Sequence, residues 1–239
     1  TAGFLPAVAS RESTGYTVGG GLEYMFAPAW SAKVEYQYYN FDTTNVAALA
    51  ATQVAALTAT SVGSLTETQI GSLTATQIKS LSTTNLSGLD GTQAAALTTT
   101  QIAGLTTTQA GALDATDIGE LDATQIGALT STLLARLTTE AVVALDATQL
   151  AGLTATQLQS FSTAQVAALG AGDVAEFTET QVASLTATQV RALTATAVGA
   201  LAETQIAALT TAQVQSLSTT SISDLDTTQV AALTTTQVR

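Results

Sequence analysis

Apolar residues recur along this chain with a period of eight. Leu or Phe occupies every eighth position from Phe41 to Leu233, and the position five residues after each, from Val46 to Val238, is Val, Ile, Leu or, twice, Ala. The consensus octad is Leu-Thr-x-Thr-Gln-Val-Ala-Ala, and its positions are numbered 1 to 8 from the Leu. A fixed period marks a repeat architecture. Residues 41–239 are therefore predicted to form one repeat region.

This spacing excludes the two simplest regular structures. A continuous α-helix turns about 100° per residue, so eight residues overshoot two turns by about 80° and the Leu stripe winds around the helix. A continuous strand places positions 1 and 6 on opposite faces, which suits only a strand that is buried on both sides or bent within the octad. A chain of very short elements fits the pattern better.

The polar positions indicate very short helices. Position 2 is Thr, Ser or Asp in 22 of 25 octads, and these residues favour helix N-caps. Position 5 is Gln in 16 of 25, which completes a Thr-x-x-Gln capping box. One such turn is too short to be stable alone, so stacked neighbours must stabilise it. We predict a mainly α repeat solenoid of capped helical turns, eight residues per repeat, with the Leu and Val rows inside. A β-solenoid is the alternative.

Residues 1–40 have a different pattern, with apolar and polar positions alternating. From Tyr16 to Phe26 and from Ala32 to Tyr38 every second residue is mostly apolar, which predicts two β-strands. Ala27-Pro28-Ala29 between them predicts a turn. The chain is thus divided into a β-hairpin at 1–40 and an octapeptide-repeat solenoid at 41–239.

The hairpin carries a family resemblance. Its residues 14–41, TGYTVGGGLEYMFAPAWSAKVEYQYYNF, contain a G-x-x-x-G-x-G-x-E-Y strand, a turn with Pro and Trp, and a K-x-E-Y strand. This segment resembles the penultimate hairpin of OmpA-like and porin-family outer-membrane β-barrels of Gram-negative bacteria, especially alphaproteobacteria. Two strands cannot close a barrel. The resemblance therefore implies an origin and a location, namely a barrel fragment in the outer membrane, rather than a pore formed by this chain.

The resemblance also implies a direction for the repeat. In such barrels the Pro28 turn is periplasmic, and the strand after it runs outward to the long external loops. The repeat region would then be extracellular and joined to the outer membrane through the hairpin. We therefore expect a non-enzymatic structural or adhesin-like surface region, a stalk or spacer. Its expected partners are the outer membrane and either other surfaces or copies of itself.

Composition and charge exclude several classes of function. The chain has no His and no Cys, which removes the commonest general base and the thiolate metal ligands. Its net charge of −12 argues against nucleic acid, because phosphates require a basic surface. No catalytic residue, cofactor or small-molecule substrate is predicted.

Two alternative functions and one weak site stay open at this stage. The barrel resemblance allows a porin-type transport protein in which the repeat is an elaborated external loop. Thr at positions 2 and 4 forms arrays such as Thr58 and Thr60, which on a β-solenoid would suit an ice or mineral surface. The densest acidic patch is a weak candidate for a Ca²⁺ site, since carboxylate oxygens are the ligands that Ca²⁺ prefers. It comprises Asp114, Asp117, Glu120 and Asp122. Two of these, Asp114 and Asp122, occupy position 2 and are equally explained as N-caps.

Overall fold

The structure is a computed structural model that describes residues 3–4, 8–12, 15–27, 30–40 and 46–238, the first four segments as backbone only. These four segments are strands, and β3 pairs antiparallel with each of the others. Its register with β4 runs from Tyr16 opposite Asn40 to Ala27 opposite Trp30, with an irregularity between Met25 and Ala27. The strands are β1 (Gly3–Phe4), β2 (Val8–Glu12), β3 (Gly15–Ala27) and β4 (Trp30–Asn40).

The pairing of β3 with β4 lies where the alternating pattern predicts a hairpin. Two shorter strands, β1 and β2, also pair with β3, and the alternating pattern does not predict them. The predicted turn residues Pro28 and Ala29, and the side chains on both faces of these strands, lie outside the described residues. The membrane-facing surface that the resemblance implies is therefore a proposal, taken up below.

Residues 51–232 form 23 helices of four to six residues, one in each octad. They are α1 (Ala51–Ala55), α2 (Ala59–Gly63), α3 (Glu67–Ser72), α4 (Ala75–Ser80), α5 (Thr83–Ser87), α6 (Gly91–Ala95), α7 (Thr99–Ala103), α8 (Thr107–Ala110), α9 (Ala115–Glu120), α10 (Ala123–Ala128), α11 (Ser131–Leu134), α12 (Thr139–Val143), α13 (Ala147–Ala151), α14 (Ala155–Gln159), α15 (Thr163–Ala168), α16 (Ala171–Ala175), α17 (Glu179–Ser184), α18 (Ala187–Ala192), α19 (Ala195–Gly199), α20 (Glu203–Ala208), α21 (Thr211–Ser216), α22 (Thr219–Ser223) and α23 (Thr227–Ala232). The predicted α solenoid of capped turns is confirmed. The β-solenoid alternative is wrong for these octads, because the capping residues favour a helical turn in each of them.

Each helix is separated from the next by a corner of extended backbone. At the corner between α4 and the helix before it, Leu73 has φ −63° and ψ 141°, and Thr74 has φ −72° and ψ 157°. The Thr74 hydroxyl accepts a hydrogen bond from the Gln77 backbone N–H at 3.2 Å. The N-cap at position 2 therefore begins each helix, while the extended residues at positions 1 and 2 turn the chain.

Three octads make one coil of the solenoid. The main helix–helix packing joins each helix to the one three further along the chain, for example α1 with α4 and α4 with α7. One coil is therefore 24 residues long, and the helices form three stacked rows. The first row begins with α1, the second with α2 and the third with α3.

The core of the solenoid consists of positions 1 and 6. Leu73 is 4% exposed and Ile102 is 1% exposed, and the same positions are buried through almost all octads. Both rows of apolar residues thus face inward, as the period of eight predicts. Burying each such side chain stabilises the fold by about 1.5–3 kcal/mol.

Small residues allow neighbouring coils to approach closely. A Cβ added at Gly104, which occupies position 8, would lie 2.9 Å from the Cβ of Ala75 in the preceding coil. By contrast, a Cβ added at Gly127 would meet no atom within 4 Å. A side chain is therefore excluded at Gly104 by the coil beneath it, whereas Gly127 lies open.

Candidate functional site

Glutamine at position 5 joins one coil to another. Gln101 is 1% exposed, and its side-chain oxygen accepts a hydrogen bond from the Thr98 backbone N–H at 2.6 Å. Its side-chain nitrogen donates to the backbone carbonyl of Ile70 at 2.9 Å and to that of Leu73 at 2.6 Å. One amide therefore caps the start of its own helix and satisfies carbonyls at the end of a helix in the preceding coil.

This contact, called here the glutamine bridge, recurs along the solenoid. In every case the amide nitrogen donates to the position-1 carbonyl 28 residues earlier. The glutamines that form it are Gln77, Gln93, Gln101, Gln109, Gln125, Gln149, Gln157, Gln165, Gln181, Gln189, Gln205, Gln213, Gln229 and Gln237.

The bridge has a clear physical basis. The last carbonyls of a helix have no intrahelical partner, and leaving such a group buried without a hydrogen bond costs about 1–3 kcal/mol. The capping box uses only the amide oxygen, which leaves two N–H donors on the same side chain. The sequence predicts the box correctly but not the second contact. The available signal was the predicted position of Gln beside the buried Val, because a buried amide requires partners for both of its ends.

Some octads keep only part of the bridge. Asn85 has a shorter side chain, and its amide nitrogen still donates to the Leu57 carbonyl at 2.8 Å. Asp117 accepts the Asp114 backbone N–H at 2.9 Å but has no donor when ionised, so it cannot reach back to a carbonyl. Leu133 and Ala141 replace the amide with buried apolar side chains, 3% and 0% exposed.

The four carboxylates of the predicted Ca²⁺ site have other contacts. Asp114 accepts the backbone N–H groups of Thr116 and Asp117 at 2.8 and 3.0 Å, as an N-cap. Asp122 caps the next helix in the same way through the Gln125 N–H at 2.7 Å. Within the described part of the chain, no three acidic residues are grouped closely enough to hold a metal ion. The structure thus separates the candidate ligands, because their phase in the octad assigns two of them to helix caps.

Glu120 has the one raised carboxyl pKa among residues 46–238. Partial burial raises the pKa of this carboxyl first, and repulsion from Asp117, Asp90 and Asp114 raises it further. With Asp117 it lines a small, mostly apolar cavity of about 20 Å³, which has room for no more than a single water molecule. Asp90 contributes because coil stacking places the octad that begins at Leu89 beneath the octad of Glu120.

Two other N-cap aspartates have lowered pKa values. The Thr92 hydroxyl and the Gln93 backbone N–H, both donating to Asp90, lower the pKa of that carboxyl. Asp226 has the same arrangement, since the Thr228 hydroxyl and the Gln229 N–H lower its pKa. These exposed acids are therefore structural caps, and their ionised form is the one that the folded chain favours.

Charge differs among the three rows of helices. The first four octads of the third row, at 65–72, 89–96, 113–120 and 137–144, contain six acidic residues and no basic residue. In the second row, the octads at 57–64, 81–88, 105–112 and 153–160 carry no charge at all. The difference is invisible along the linear sequence and appears only when every third octad is stacked.

No helix in the described part of the chain is long and apolar enough to span a membrane.

Comparison with known proteins supports the repeat region only. The family model described as the ALTTAQ repeat matches residues 206–239, where the chain has the Leu-Thr-Thr-Ala-Gln stretch at 209–213. Searches of the curated proteins and of the solved structures give no match to this chain. Residues 206–239 are thus similar to the ALTTAQ repeat, and the octads before them extend the same pattern.

Proposed function

We propose that this chain is a non-enzymatic structural protein whose repeat region is a stalk, spacer or adhesin-like segment at the surface of a bacterial cell. Its polar side chains support this proposal, because the position-2 residues cap helices and the position-5 glutamines join coils. Few polar groups of the interior are left for chemistry. The ALTTAQ repeat similarity at 206–239 also suits a structural repeat protein.

The observation that carries the proposal is the exact repetition of the coil contacts. Gln77 and Gln237 form the same bridge, to Leu49 and to Leu209, at nearly opposite ends of the described repeat. Each added coil of 24 residues therefore extends the solenoid with contacts of the same kind. In such a quasi-one-dimensional protein, length can change without altering the fold. A spacer requires this property.

Coil deletion tests the spacer property. Removing residues 97–120 takes out one coil, and removing residues 97–144 takes out two. We expect both variants to remain helical by circular dichroism, and the longest dimension from small-angle X-ray scattering to fall by equal steps. Removal of residues 97–108 is the matched control, because twelve residues break the octad phase. Equal loss of helicity in all three variants would contradict the proposal.

The outer-membrane location is the finer part of the proposal. It is supported by the resemblance of residues 14–41 to a barrel hairpin and by the lengths of β3 and β4, 13 and 11 residues. About 9–11 residues suffice for a tilted strand to cross a membrane. Their antiparallel pairing also suits a barrel hairpin.

Protease treatment of intact cells tests this location. An antibody raised against the octads should label unopened cells of the source bacterium, and external protease should remove the signal while a periplasmic marker survives. Labelling that appears only after the outer membrane is opened would rule out surface display. The spacer property would stand in that case, because the coil deletions test it separately.

A further inference from the structure

The two ends of the solenoid present different surfaces. At the first coil the position-6 residues Val54 and Val62 are 0% and 1% exposed. At the last coil Ile222, Val230 and Val238 occupy the same position and are 48%, 50% and 64% exposed. Each position-6 side chain is therefore covered by the coil that follows it, and the last coil presents an uncovered apolar row.

The glutamine bridges have the same direction. Gln237 donates back to Leu209, so each coil offers amide donors towards the preceding coil and carbonyl acceptors towards the next. In the described repeat, no glutamine reaches the position-1 carbonyls of the last coil. At the other end Gln53 is exposed, and its oxygen accepts the Ala50 N–H at 2.8 Å, while its amide nitrogen has no hydrogen bond within the described residues.

We propose that the last coil, residues 217–238, binds the first coil of a second copy of this chain, head to tail. The contact would continue the coil–coil interface that already repeats within each molecule, with Gln53 supplying a bridge to the exposed carbonyls. The uncovered row of Ile222, Val230 and Val238 would be buried as the same row is buried inside the solenoid. Such a heterologous contact generates a filament of stacked copies unless it closes.

Local charge permits this contact despite a net charge of −12 per chain. Residues 46–66 contain no charged residue, so the first coil offers no like charge to Asp224 and Asp226 near the last coil. Repulsion between exposed charges further apart is screened beyond about 8–10 Å at ordinary ionic strength. The inference does not depend on the proposed surface location.

Sedimentation equilibrium of the 239-residue chain tests the association. We expect the average mass to increase with concentration. Ile222→Lys combined with Val230→Lys should weaken the association at least tenfold, because charges would enter the apolar contact. Val143→Lys is the matched control, since Val143 is 43% exposed on the side of the solenoid and should leave association unchanged. All of these side chains are already substantially exposed, and circular dichroism checks that each variant is folded.

A second variant distinguishes head-to-tail from tail-to-tail contact. Gln53→Glu keeps an oxygen for the Ala50 N–H but removes the donor, and should also weaken association at least tenfold. Mixing it with the Ile222→Lys, Val230→Lys chain places both defects on the outer ends and leaves one intact interface, so heterodimers should form and grow no further. A monomer at every concentration, or association unaffected by either variant, would overturn the proposal.

Discussion

The octad at 97–104 and the pair of octads at 129–144 solve the same packing problem in different ways. Gln101 joins its coil to the preceding one through two carbonyls. Leu133 and Ala141 stand at the equivalent position with no polar contact to the coil below, yet both are buried and both octads form helices. Every octad therefore requires its apolar rows, whereas an individual bridge can be absent where its neighbours keep the coils in register.

The pair at 129–144 also shows how volume is compensated. Helix α11, which ends in Leu133 and Leu134, packs against α8, where Ala110 stands in place of the usual Val. A larger pair of side chains thus lies on the helix that follows a smaller one. Protein cores tolerate such exchanges when the total volume is kept.

The largest effect should come from Gln101→Glu. A buried carboxylate facing the Ile70 and Leu73 carbonyls would have no donor for them, so we expect a loss of about 3–5 kcal/mol in the free energy of unfolding at neutral pH. Chemical denaturation measures this loss. The pKa of the new carboxyl should rise in the folded state, so the loss should shrink as pH falls, when the protonated acid can donate. An equal loss at low pH would show that the bridge is not the cause.

Exchanging the two solutions gives the next largest effect. Gln101→Leu should reduce the free energy of unfolding by about 1–3 kcal/mol, because the buried Ile70 and Leu73 carbonyls lose their donor. Leu133→Gln places an amide 28 residues after Leu105 and should raise stability by up to about 1 kcal/mol. Urea titration of both variants provides the comparison. If both substitutions destabilise equally, apolar packing alone determines stability and the bridge adds nothing.

Two glycines provide a smaller contrast. Gly104→Ala should destabilise by about 1 kcal/mol, because the new Cβ would overlap the Ala75 Cβ and strain the packing between coils. Gly127→Ala, in a helix and in open space, should instead stabilise by about 0.5–1 kcal/mol through helix propensity. Thermal unfolding of the two variants is the measurement. The same sign at both positions would contradict the close coil contact at Gly104.

The smallest effect concerns Glu120. Its raised pKa means that the charged form opposes folding, so its stability contribution is present at low pH and is lost as pH rises through the folded-state pKa. Glu120→Gln should therefore raise stability at pH 7, by less than about 1 kcal/mol, and leave it nearly unchanged well below pH 4. Glu176→Gln is the matched control, because Gly170 there replaces the aspartate of Asp114. A gain that is independent of pH would contradict this electrostatic explanation.

Much of the local structure follows from the sequence, whereas the coil does not. Thr98 and Gln101 announce a capped turn by themselves, since the capping box is a contact between near neighbours. The number of octads per coil depends on how the extended corners, such as Leu73 and Thr74, add up in space, and no period of eight encodes that number. The second partner of Gln101 is hidden for the same reason, because it lies 28 residues away.

The candidate Ca²⁺ site failed for a related reason. Closeness in sequence suggested that Asp114, Asp117, Glu120 and Asp122 meet, but Asp122 caps the helix of the following octad, in a different row. The charge that Glu120 does meet, on Asp90, is 30 residues away. In this fold residues about 24–31 apart are neighbours, and residues in adjacent octads lie around a corner from one another.

Three octads per coil also has a genetic consequence. Duplication or loss of one octad, 24 nucleotides of coding sequence, leaves every capping box intact but rotates all later octads by one row. Duplication of three octads keeps the rows aligned and only lengthens the solenoid. Slippage during replication could thus redistribute the acidic and uncharged rows over the surface, or change the length alone. The same repeat can therefore evolve a new surface pattern without a single amino-acid substitution.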